Sequence, residues 1–125
     1  MAVEVLKAGH PVRFVARGRS MWPFVLDGDV LTIMPIDGAL HCGDLVWIEG
    51  GPVHRVMAIT SGPRYWIRGD ALPRPDGGYR AEELLGRVHE IRRGGRPVPL
   101  RSSIMTVGVA TLLGWARVIG QIVRR

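Results

Sequence analysis

The chain has 125 residues, 46% apolar and 22% charged, enough for one domain with a modest core and too apolar for wholesale disorder. Its 17 glycines and 9 prolines require many turns and favour a β-rich body over a helical bundle, while the lone cysteine, Cys42, excludes a disulfide framework and any multi-thiolate metal centre. The net charge of +6 is uneven: residues 1–86 carry nine basic against ten acidic side chains, and residues 87–125 eight arginines against Glu90 alone.

Met1 to His10 holds no continuous apolar stretch, so neither a cleavable secretion signal nor an N-terminal membrane anchor is expected, and the catalytic part is expected in the cytoplasm or peripheral to its membrane. Pro11 to Ala16 alternates as a strand leading into Gly18, and Val30 to Met34 is a short apolar run ended by Pro35. Asp44 to Glu49 follows the turn at Gly43 as the next strand, and Gly50-Gly51-Pro52 separates it from Val53 to Ile59. Ser61-Gly62-Pro63 breaks the chain again before Tyr65 to Arg68. Ala71 to Gly78 is a proline-rich loop, and Glu82 to Ile91 opens with a short turn and continues as the strand Gly86 to Ile91. Closely spaced strands divided by Gly and Pro predict a mainly β fold, a small antiparallel sheet or partly closed β-barrel over residues 1–100.

Residues 101–125 differ. Ile104, Gly108, Thr111, Trp115, Ile119 and Ile122 recur at spacings of three and four, which predicts a C-terminal amphipathic helix weakened by its glycines. Three uses fit such a helix: closing over the domain's own core, lying on a membrane surface through 102–125, or docking to a partner protein. The uncharged run from Ser102 to Ala116 is shorter than the roughly 20 residues needed to span a bilayer. The arginine-rich end could also attract nucleic acid, but its only aromatic residue is Trp115, so no stacking platform and no specific nucleic-acid partner are expected.

Chemistry concentrates in Gly18-Arg19-Ser20-Met21-Trp22-Pro23, followed by Leu26-Asp27-Gly28-Asp29-Val30. Gly18 permits a turn that a side chain would obstruct, and Pro23 fixes φ soon after Ser20. A serine there can project its hydroxyl from a rigid bend, although a lone serine is ordinarily just a turn or cap residue. Further along, His54 shares a strand face with Val56 and Ala58 and looks into an apolar site, while Arg55 points to solvent or the opposite face. His10, His41 and His89 lack such context and read as surface residues, so no metal site and no cofactor are expected.

Gly18-x-Ser20-Met21-x-Pro23, with Gly28-Asp29-Val30 following it, resembles the nucleophile box of type I signal peptidases, and a related box occurs in the self-cleaving LexA-type repressors. The resemblance continues in order through Gly43-Asp44-Leu45-Val46, Val53-His54-Arg55-Val56, Arg68-Gly69-Asp70 with Asp76, and Leu85-Gly86-Arg87-Val88. It implies the signal peptidase fold and serine endopeptidase chemistry. Most bacterial members use lysine as base; His54 at the matching place looks like the endoplasmic-reticulum and archaeal type, which pairs serine with histidine and aspartate. Lysine must be buried to accept a proton at neutral pH, whereas histidine needs only orientation, which a carboxylate on its far nitrogen supplies.

The implied roles are Ser20 as nucleophile, His54 as base, and Asp76 as the orienting acid, with Asp70 as its backup or as a loop stabiliser. The Ser20 amide would be one oxyanion donor; Gly18, where relatives place a second, has no hydroxyl. By the same resemblance, a peptide or precursor protein binds as an added strand with small side chains before the cut, in a groove walled by Met21 and the strands Val30–Met34 and Val53–Ile59. A catalytically inactive module that holds a peptide, or docks to a membrane or protein partner, is the alternative.

Overall fold

The computed structural model describes residues 2–100, so the expected C-terminal helix and its membrane or partner contacts lie outside the described residues. A short helix, α1 (Ala2–Lys7), precedes eight strands: β1 (Val12–Val15), β2 (Val30–Met34), β3 (Leu45–Ile48), β4 (Val53–Thr60), β5 (Arg64–Arg68), β6 (Gly77–Tyr79), β7 (Leu84–Arg93) and β8 (Arg96–Val98). They form one antiparallel sheet in the order β1-β2-β7-β3-β4-β5-β6, with β8 also paired to β7. The mainly β, antiparallel sheet expected from the sequence is present and is not closed: β1 and β6 end the path and do not pair with each other. Among the described residues no helix is long and apolar enough to cross a membrane.

The long strand β7 is the spine. Its first half pairs with β3 (Trp47 opposite Gly86) and its second half with β2 (Leu31 opposite Ile91). Gly86 lies where the two partners converge, and a Cβ there would meet Ile33 Cγ2 at 2.5 Å and the Met34 carbonyl oxygen at 2.8 Å. Only glycine fits that approach. Two apolar clusters flank this seam. Leu31, Ile33, Val88 and Ile91 join Leu6 of α1 and Met21 and Val25 of the Ser20 turn in one, and Val46, Ile48, Val56, Ile67 and Leu84 form the other. Helix α1 was not expected from the sequence; burial of Leu6 in the first cluster is what holds its six residues, too few for a helix to persist alone.

Much of the described part of the arginine-rich end is occupied internally. Arg87 reaches the Asp37 and Ala39 carbonyls and Asp44, while Arg93 binds Asp29. Asp29 is 1% exposed and accepts bonds from the Leu26 amide at 2.8 Å and from Arg93 Nε and Nη2 at 2.9 Å each. Arg93 Nη2 also donates to the Phe24 carbonyl at 3.2 Å. Burial works to raise the Asp29 pKa, but the Arg93 bonds, the Leu26 amide and the Arg93 charge together outweigh it and hold the carboxyl below its ordinary value.

Asp29→Asn is therefore expected to cost about 1.5–3 kcal/mol near neutrality, the range for hydrogen bonds to a charged group. Because the folded-state pKa is depressed, the wild-type advantage is full above the unfolded value of about 3.9 and fades as pH falls through the lower folded value. Denaturant unfolding of both proteins along an acid series checks this, and a gap that widened towards low pH would contradict it.

Candidate active site

Ser20 sits in an irregular segment between β1 and β2. Gly18 adopts φ 84°, a left-handed conformation that suits glycine, and its amide donates to Asp27 Oδ1 at 3.0 Å. After Ser20 the chain makes one tight turn, in which the Trp22 amide reaches the Arg19 carbonyl at 3.1 Å and the Val25 amide the Met21 carbonyl at 3.0 Å. The segment is thus a single turn. Burial of Met21 and Val25 in the first apolar cluster fixes it to the body and leaves Ser20 half-buried at its rim.

His54 arrives on β4, 34 residues away in sequence and 2% exposed, with Nε2 2.9 Å from Ser20 Oγ. Its other nitrogen, Nδ1, meets the carboxylate of Asp76. Asp76 immediately precedes β6, whose pairing with β5 puts Gly77 opposite Ile67; the Asp76 amide donates to the Ile67 carbonyl at 2.7 Å. The succession β4-β5-β6 therefore carries the carboxylate to the imidazole. An ionised carboxylate only accepts, so Nδ1 holds the ring proton and the Nε2 lone pair faces the serine hydroxyl. The three side chains expected from the sequence to act together are adjacent, with His54 between Ser20 and Asp76.

Asp70 takes another place. Arg55 Nε and Nη2 grip its two carboxylate oxygens, each at 2.8 Å, and the side chains are 2% and 1% exposed. Arg55 also donates to the Gly43 carbonyl at 2.8 Å and lies over the Phe24 ring, 5.8 Å from its centroid. Of the two places expected for each, Asp70 takes that of a loop stabiliser, away from His54, and Arg55 lies on the opposite face of β4, not in solvent. The loop that Asp70 anchors wraps the serine. The Ala71 amide donates to the Ser20 carbonyl at 2.9 Å, and the Asp70 amide to Met21 Sδ at 3.3 Å. Arg68, 7% exposed, is a further buried guanidinium: burial lowers its pKa, opposed by the Asp70 charge, and its Nε has no partner among the described residues.

Gly69 had no assigned role in the sequence, although it stands inside the Arg68-Gly69-Asp70 triplet. A Cβ there would lie 2.6 Å from the Ser20 carbonyl oxygen and 2.9 Å from His54 Nε2, so its bareness is what lets the loop close on both. The Ser20 amide has no acceptor among the described residues. The Gly18 amide is already given to Asp27. His10, His41 and His89 are exposed, as expected.

Beside Ser20 opens a groove of about 200 Å³, with Phe14, Ala16, Met21, Leu31, Trp47 and Val53 among its walls. Met21 thus lines it as expected, with Leu31 and Val53 contributed by the two strands named from the sequence. Edge strand β1 borders the groove. Comparison with known proteins finds no family model, curated protein or solved structure that matches the chain.

The two aspartates should separate cleanly in stability. Asp70→Ala leaves Arg55 buried without its partner and is expected to cost about 3–5 kcal/mol. Asp76→Ala, at a carboxylate 23% exposed, should cost only about 1 kcal/mol. Denaturant melts of both variants check the ranking. Gly69→Ala should cost about 1–3 kcal/mol through overpacking and shift the His54 ring resonances in NMR spectra.

Proposed function

We propose that the chain is a serine endopeptidase of the signal peptidase type, cutting a peptide or small precursor protein through an acyl-enzyme. The observation that carries this reading is the unbroken line from Ser20 Oγ to His54 Nε2 at 2.9 Å, and from His54 Nδ1 to the Asp76 carboxylate. A module that merely held peptides would gain nothing from a buried imidazole aligned between a hydroxyl and an acid.

In this mechanism His54 takes the Ser20 proton at Nε2 as Oγ attacks the scissile carbonyl. Asp76 keeps the imidazole in the required tautomer and stabilises the imidazolium that forms. The Ser20 amide donates to the developing oxyanion. His54 then returns the proton to the leaving amine, the C–N bond breaks, and the acyl group remains on Ser20. Water, deprotonated by His54, hydrolyses that ester and regenerates the hydroxyl. The substrate lies extended along β1, which has no further strand beyond it among the described residues, so that its backbone can pair with the peptide and lead the scissile carbonyl to Ser20.

Ser20→Ala and His54→Ala should each abolish cleavage of a peptide substrate. Asp76→Asn should lower kcat by about 10³–10⁴ while leaving the protein folded, since an amide can favour the wrong ring tautomer. Intact-mass detection of an adduct from a fluorophosphonate tests the nucleophile directly. An adduct that forms equally on Ser20→Ala, or none on the wild type, would overturn the proposal.

A further inference from the structure

We propose that the groove beside Ser20 receives a large apolar side chain of the substrate, of leucine to phenylalanine size, in place of the small one that the family resemblance implies. The inference rests on the peptidase reading and deepens it by naming the substrate class. Its basis is volume and lining. An apolar cavity of about 150 Å³ already accommodates benzene. Here about 200 Å³ opens next to the serine, walled by Phe14, Ala16, Met21, Leu31, Trp47 and Val53. A methyl group would leave most of that wall without partner atoms, either void or wet, and forfeit its dispersion contacts.

The walls are built to keep this shape. Phe14 and Trp47 meet edge to face, with ring centroids 4.8 Å apart and planes at 61°, so each ring limits the other's collapse into the opening. Phe14 is anchored by β1 pairing opposite Leu31, and Trp47 by β3 pairing with Val53 and Gly86. Leu31 is 3% and Met21 6% exposed, which fixes the floor in the main apolar cluster. The one charged residue of the lining, Arg17, is exposed, so it does not make the interior polar. A strand added to the β1 edge runs past Phe14 and Ala16 towards Ser20. Alternate residues of such a strand share a face, so the side chain entering the groove belongs to the scissile residue or to the one two positions before it.

The test uses N-acetyl tripeptide diphenyl phosphonates with Ala, Leu or Phe at each of those two positions and Ala elsewhere. The rate of adduct formation on Ser20 is read by intact mass. Leu or Phe at one position is expected to react at least about tenfold faster than Ala, the scale on which apolar pockets discriminate. Ala16→Leu, which narrows the groove, should reverse that order, and Trp47→Leu, which widens it, should favour Phe over Leu further. Circular dichroism of each variant confirms that it is folded. Ala reacting fastest at both positions, while the fluorophosphonate still labels Ser20, overturns the groove assignment and leaves the peptidase reading intact. If nothing labels Ser20, the peptidase reading falls, and the groove is judged separately in Ser20→Ala. Shifts of the Trp47 indole N–H with N-acetyl-phenylalaninamide but not with N-acetyl-alaninamide then support it, and their absence overturns it.

Discussion

Two arginine–aspartate pairs, one of them wholly buried, hold the segment that carries Ser20, and the rest of the site depends on them. That segment has no sheet pairing of its own between β1 and β2. From one side Asp29 and Arg93 bind the Leu26 amide and the Phe24 carbonyl. From the other, Arg55 pins Asp70, and the loop so fixed reaches the Ser20 carbonyl and Met21 Sδ. Both pairs are bidentate, and in each the aspartate is almost wholly buried. Burying such charges is costly, and apolar replacements often stabilise as well or better. Their advantage here is geometric: a guanidinium fork meets a carboxylate in one orientation, which an apolar contact would not impose.

Strand β4 links the two parts of this arrangement. His54 and Arg55 are neighbours in sequence, and both are buried. One meets Ser20 and Asp76; the other meets Asp70. A shift of β4 by one residue would exchange the two and lose the hydroxyl, the acid and the ion pair together. Pairing fixes its register on both sides, with Val46 opposite His54 on β3 and Arg68 opposite Arg55 on β5. Gly69 then sets the closeness of approach, since the loop that touches the serine must also pass the imidazole.

Much of this was legible in the sequence because strands of this protein are short, apolar and bounded by Gly or Pro. Val30–Met34 was predicted with its observed limits, and Val53–Ile59 ends one residue short of the observed Thr60. The elements missed were those whose cause is tertiary. β6 (Gly77–Tyr79) lies partly inside a proline-rich loop and is a strand only because β5 offers it an edge. β8 (Arg96–Val98) did leave a signal, since Gly94 and Gly95 both take positive φ between it and β7, the preference of a tight hairpin turn. The aspartates needed more than pattern: the family resemblance implied Asp76, and the separation of its contacts from those of Asp70 became visible only with Arg55 in place. Alternation along β4 placed Arg55 opposite His54 correctly, but it could not reveal that both faces of that strand are covered.

The division between the two aspartates has a physical origin in their neighbours. Asp70 faces a guanidinium, a permanent cation, at side-chain exposures of 1% and 2%. Asp76 faces an imidazole and retains 23% exposure. Exchanging their environments would fail in both directions. Asp76 beside a guanidinium would have no imidazole to orient, and Asp70 beside His54 would leave Arg55 buried without a counter-charge. The fold thus keeps the Arg55–Asp70 pair apart from the His54–Asp76 pair, while drawing one partner of each from adjacent positions on a single strand.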